Sequence, residues 1–182
     1  KLDGKSHRVG TKGHAVIEPV RTTLGPTPFG DAEISTATYG DDSFQYTLTL
    51  KRLNNLRAFT LQAVFHNRSA KDVNLRNVDL LDLNKGPGGA LSVVDPAEWL
   101  VTPLMEASPA LPLSEMNKRL NEVALIRNAK DEGFLIGPVG PAEAYTAVNV
   151  GAQALRAEVM MDNVLVRAGE SRRSEEMIVI FE

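Results

Sequence analysis

The sequence has no cysteine, only three histidines, one tryptophan and no long apolar run. Without cysteine there is no disulfide frame, no thiolate nucleophile and no thiolate zinc site. His7, His14 and His66 show neither H-x-H nor H-E-x-x-H spacing, so a transition-metal site would need carboxylates from scattered elements. Nothing here asks for a metal or any other cofactor. No segment approaches the ~20 consecutive apolar residues of a membrane helix, and none reads as a signal peptide. Lys and Arg number 20 against 23 Asp and Glu, which argues against the basic stripe of a nucleic-acid binder. What remains is globular: 43% hydrophobic and 24% charged over 182 residues, enough for one ordinary domain or two small ones. No internal repeat or low-complexity tract divides it. Residues 1–182 therefore read as one domain.

The dominant hydrophobic period is two. Phe44, Tyr46, Leu48 and Leu50 alternate with Gln45, Thr47, Thr49 and Lys51, the pattern of a strand with one buried face. Phe59, Leu61, Ala63 and Phe65 repeat it after the turn-like Asn54-Asn55-Leu56-Arg57, so the two runs are expected to pair antiparallel. Behind the polar turn 67–72, the run from Val73 to Leu83 slips phase near Asn77, as a bulge causes. Short β-prone segments follow at 91–94, 122–126, 133–136, 145–150, 155–161, 164–166 and 177–181, each bounded by Gly, Pro, Asn or Asp. Many short strands with few helices point to an all-β, antiparallel β-sandwich. Asp95-Pro96-Ala97-Glu98 reads as the start of a short loop helix carrying Trp99, stopped by Pro103. Residues 106–119, with Pro109 and Pro112, read as an excursion off the sheet. The chain opens at Lys1 and closes on the β-prone run Met177 to Phe181 without a polar tail, so a domain cut from a longer protein is expected.

The search for chemistry is mostly negative. No G-x-S-x-G elbow is present, and Gly169-Glu170-Ser171 reads as a hairpin turn. Lys85-Gly86-Pro87-Gly88-Gly89 lacks the Lys-Ser/Thr ending of a phosphate loop. Asn67-Arg68-Ser69 is formally a glycosylation acceptor. Asp79 and Asp82 have an odd spacing, which puts them on opposite faces of a regular strand and keeps them from acting as a glycosidase pair. Trp99 has two readings: an anchor pinning an irregular segment to the core, or a platform for a sugar ring. In the second, Asp95, Glu98, Asn117 and Arg119 would complete a carbohydrate site.

Three segments carry a family resemblance. Phe65 to Leu80 (FHNRSAKDVNLRNVDL), Gly133-Phe134-Leu135-Ile136-Gly137, and Val166 to Glu175 (VRAGESRRSE) occur in that order. They resemble strand–turn–strand, mid-domain strand and "pGEslrSE" hairpin segments of the amino-terminal β-supersandwich of α-galactosidase-type glycoside hydrolases (glycoside hydrolase family 36 and its relatives). The resemblance implies a galactose mutarotase-like fold and an accessory role beside a catalytic domain of the same parent chain. In that family the catalytic aspartates lie on a following (β/α)8 barrel, and 182 residues do not hold both. The family's tryptophan-rich loop has no counterpart here, since Trp99 is the lone tryptophan, so no functional residue is carried over. The expectation is thus a non-catalytic accessory sandwich of an exported (periplasmic or secreted) glycosidase-like protein. Its alternatives are an autonomous carbohydrate-binding module and a structural or adhesion module; an enzyme such as a sugar epimerase is disfavoured by the scarcity of histidine.

Overall fold

The computed structural model describes residues 3, 15–84, 98–104, 109–121, 123–140, 144–152 and 154–182. Its strands are β1 (Ala15–Thr27), β2 (Gly30–Gly40), β3 (Phe44–Leu53), β4 (Ala58–Asn67), β5 (Val73–Asn84), β6 (Trp99–Pro103), β7 (Leu111–Pro112), β8 (Asn117–Asn121), β9 (Ala124–Asn128), β10 (Gly133–Pro138), β11 (Tyr145–Gly151), β12 (Ala154–Val166), β13 (Ser171–Arg173) and β14 (Met177–Phe181). They form two sheets. The larger has ten strands in the order β1-β2-β3-β4-β14-β10-β9-β6-β7, with β13 beside β4; the smaller runs β5-β12-β11-β8. The pair β3–β4 is antiparallel, as the alternation requires, with Leu50 opposite Leu61 and Tyr46 opposite Phe65.

The inward positions of both sheets make the main core. Leu61, Ala63 and Phe65 of β4 meet Leu75, Val78 and Leu80 of β5, Val148 and Val150 of β11, and Leu155, Ala157 and Val159 of β12. Each fully buried Leu, Val or Phe contributes about 1.5–3 kcal/mol, more than any exposed ion pair on the molecule. A second, smaller cluster of Ala32, Leu53, Ala58 and Ile178 lies on the opposite face of the large sheet. Beside it Lys51 Nζ pairs with Glu176 Oε1 at 2.8 Å, and the buried Thr60 hydroxyl donates to the same oxygen.

Asn67 ties the sheets together. Its carboxamide is 1% exposed, and Nδ2 donates to the carbonyls of Lys71 (2.8 Å) and of Val166 (3.0 Å) at the end of β12. Its Oδ1 accepts from the Ser69 amide and hydroxyl, while its main chain bonds both Gly169 and Glu170. The nitrogen of the apparent glycosylation acceptor is therefore spent on two carbonyls, that of Val166 being buried. Two of the three segments that carry the family resemblance converge at this point: the 67–72 turn and the 167–171 hairpin.

Several elements differ from expectation. Trp99 begins strand β6 and is not on a helix; Glu98 before it belongs to a 3-10 turn, and Asp95 to Ala97 lie outside the described residues. From Trp99 onward the pairing of β6 with β9, Trp99 opposite Asn128, is a long-range gain that takes the chain into the sheet. Of the expected excursion 106–119, the described part from 109 on rejoins the sheets in places: β7 pairs β6, a single helical turn spans Leu113–Glu115, and β8 pairs β11. The expected strand 91–94 and the glycine loop 85–89 lie outside the described residues. The hairpin β1–β2 was not legible, because Pro19, Gly25 and Pro26 interrupt its alternation. Expected runs 155–161 and 164–166 are one strand, β12, bent where Asp162 and Asn163 take positive φ.

Asn67→Ala removes the buried hydrogen bond to the Val166 carbonyl and the acceptor of the Ser69 amide, while the Lys71 carbonyl keeps the Ser69 hydroxyl; an unsatisfied buried group costs about 1–3 kcal/mol. Chemical denaturation should show the variant less stable by about 2 kcal/mol with the denaturant slope unchanged.

Candidate functional site

The densest polar constellation lies on the outer face of the small sheet. Along β12, Leu155, Ala157 and Val159 point into the core, so Arg156, Glu158 and Met160 point out. Their neighbours across the sheet are Asn77, Asp79 and Asp82 of β5 on one side and Tyr145, Ala147 and Asn149 of β11 on the other. Arg119 of β8, opposite Asn149, completes the row. Asp79 and Asp82 share this face, contrary to the expectation from their spacing. The reason is a bulge: two steps on β5, Asp79 to Leu81, oppose the single step Glu158 to Ala157 on β12, so Leu80 is the extra residue and the phase resets.

The charges are satisfied largely among themselves. Arg119 Nε meets Glu158 Oε1 at 2.8 Å, and its guanidinium lies 5.7 Å from the Tyr145 ring centroid. Asn77 Nδ2 donates to Asp79 Oδ1 at 3.1 Å and to Glu158 Oε2 at 3.2 Å. Arg156 Nε stands 3.5 Å from Asp82 Oδ1 and 3.8 Å from Asp79 Oδ2, close enough to pair but without a hydrogen bond. Burial raises the Asp79 pKa above the ordinary carboxyl range; Arg156 opposes the shift, while the carboxylates of Glu158 and Asp82 add to it. Such a ladder of cross-strand pairs fixes register and offers paired donors and acceptors to a polar surface or a polyol. Among the described residues no cluster of His, Asp and Glu could hold a metal ion.

Of the residues singled out from the sequence, Arg119 belongs to this face. Asn117 lies two positions earlier on β8, opposite Gly151. Trp99 does not join them: it is in the large sheet, half-buried and packed against the main core, with exposed Glu98 before it. Asp95 lies outside the described residues. Trp99 and Arg119 thus stand on different sheets. Asn77, Asp79, Asp82, Arg156, Glu158 and Tyr145 were not selected from sequence, since only the bulge and the pairing register bring them together. A second contact, His66 Nδ1 to Ser171 Oγ at 2.6 Å, joins β4 and β13. No carboxylate among the described residues orients that imidazole, so it is a cross-strand pair and lacks the third member of a triad.

No protein-family model matches the sequence, and no curated protein matches it. Solved structures do. The full chain superimposes on 29% of the chain of GH36 α-galactosidase AgaA from Geobacillus stearothermophilus (with stachyose), at TM-score 0.66 and 14% identity. It also matches the galactosidase domain of the α-galactosidase–sucrose kinase AgaSK, over 94% of this chain and 27% of that one, at TM-score 0.66 and 10% identity. A putative aldose 1-epimerase from Klebsiella pneumoniae aligns with 89% of this chain and 53% of its own, at TM-score 0.55 and 10% identity. The fold is a galactose mutarotase-like β-sandwich. The resemblance read from the sequence is borne out as a likeness of fold, and this sandwich spans less than a third of the galactosidase chains it matches.

Two measurements check the site. Because Asp79 has a folded-state pKa above its unfolded one, ionising it costs stability as pH rises through the ordinary carboxyl range, and the cost is complete above the raised value. Asp79→Asn should therefore unfold at a higher temperature than wild type at neutral pH, with the difference vanishing below about pH 4. The sole tryptophan, Trp99, should show blue-shifted emission that neither galactose nor raffinose moves.

Proposed function

We propose that the chain is a non-catalytic accessory sandwich of a larger carbohydrate-active protein of the α-galactosidase type, and that it supports a catalytic domain elsewhere in the parent polypeptide. The observation that carries this reading is the alignment of the whole chain with 29% of the AgaA chain at TM-score 0.66. The chemistry of the molecule agrees with it. Its densest acids, Asp79, Asp82 and Glu158, are held by Arg156 and Arg119 on an open sheet face, and do not bracket a cleft as a glycosidase pair must. Export of the parent to the periplasm or outside the cell belongs to the same proposal.

A second reading, an autonomous carbohydrate-binding module, is favoured by one feature. Arg119, Glu158, Asn77 and Tyr145 make a partly exposed row of donors, acceptors and an aromatic ring on the sheet. Arg119→Ala separates the two: it would weaken retention on an immobilised galactan only under the second.

Incubated alone with an aryl α-galactoside, the 182-residue chain should give no turnover above the uncatalysed rate. Turnover abolished by Asp79→Asn or Glu158→Gln would overturn the accessory reading.

A further inference from the structure

Strand β1 ends the large sheet: β2 pairs with one side of it, and no strand among the described residues pairs with the other. It is also uncovered on both faces, since Arg21, Thr22, Thr23 and Leu24 are exposed in succession. Leu24 at 78% and Val20 at 61% are the most exposed large hydrophobic side chains among the described residues. A bare strand edge invites another strand, and native sheets guard theirs with prolines, charges or bulges. Here Pro19 and the register shifts around Glu18 guard one end of β1 and Pro26 the other, while the stretch between them is left open.

Pairing geometry selects the partner. From Arg21 to Thr27 the strand pairs residue for residue with Thr36 to Gly30 of β2. The two-residue turn Pro28-Phe29 closes on the bonded pair Thr27–Gly30, so Thr23 and Gly25 turn their amides to β2 and Thr22 and Leu24 turn theirs outward. Val20, Thr22 and Leu24 share one face by the same alternation, with the two exposed apolar side chains on either side of Thr22. A second β1, antiparallel about a twofold axis through Thr22, sets Leu24 of each copy opposite Val20 of the other. This register uses the outward amides of Thr22 and Leu24 and keeps Pro26 beyond the apolar pairs. Its neighbours are worse. The register centred on Arg21 sets that residue against its own copy, and like charges directly opposite repel. The register centred on Thr23 brings Pro26, which has no N–H, opposite Val20.

We propose that the chain associates with a second copy of itself through this edge, β1 pairing with β1 in the Thr22-centred register to make one sheet continuous across both molecules. One strand from each copy makes a small contact, so the dimer is weak and reversible. Sedimentation of the 182-residue chain should show a shift from monomer to twice the monomer mass as concentration rises to the millimolar range. Thr22→Lys and Thr22→Glu, at an exposed position, should leave the circular dichroism unchanged and abolish the dimer by setting like charges face to face; an equimolar mixture of the two should restore it. Because the chain has no cysteine, Thr22→Cys supplies a single thiol on the axis, where the Cα atoms of a bonded antiparallel pair lie about 5.5 Å apart. It should form an intermolecular disulfide at least tenfold faster than Lys130→Cys on the β9–β10 turn. The proposal is overturned if the chain stays monomeric throughout, as it would were the occupant of β1 a strand of another domain. It is equally overturned if either charged variant dimerises as wild type does, if their mixture does not, or if Thr22→Cys oxidises no faster than Lys130→Cys.

Discussion

The buried carboxamide of Asn67 sits where the last residue of β4, the polar turn behind it, the end of β12 and the 167–170 hairpin meet. Hydrophobic burial supplies most of the energy that holds the sheets face to face, but burial is indifferent to a slide of one layer over the other. A hydrogen-bonded amide with both protons committed is not. It fixes the offset between β4 in one sheet and β12 in the other, and every facing pair in the core inherits that offset. Asp72 adds to the same junction by accepting from the Ala168 amide. The turn residues that carry the resemblance read from the sequence are thus a structural joint.

From that joint the small sheet runs outward with alternate residues committed to the core, and its other face is left to charge. The bulge at Leu80 decides the composition of that face. Without the extra residue, Asp79 and Asp82 would take opposite sides and one carboxylate would be driven into the core, at a cost of several kcal/mol. With it, both stand beside Arg156. Partial burial is the main cause of the raised Asp79 pKa; Arg156 opposes it, and the carboxylates of Glu158 and Asp82 add to it.

The inequality of the two sheets has a separate consequence. The larger sheet has ten strands and the smaller four, and beside the shared core the larger keeps a second apolar cluster on its other face, Ala32, Leu53, Ala58 and Ile178. Trp99 lies against the shared core and serves packing.

The alternation of β3 and β4, the turns at 54–57 and 67–72, and the short β-prone runs beyond residue 120 made the sandwich readable before any coordinates, because period two with one apolar face is a local property of the chain. The same locality misled at Trp99, where cap-like residues outweighed a strand that exists only through pairing with β9. It also hid the β1–β2 hairpin, whose prolines and glycine break the alternation while its cross-strand register does not depend on it. The sequence by itself determined which residues must be buried and that they lie on extended chain. Only the tertiary structure decided which acids share a face and what Asn67 holds, since bulges, sheet order and buried hydrogen bonds are fixed by partners far away along the chain.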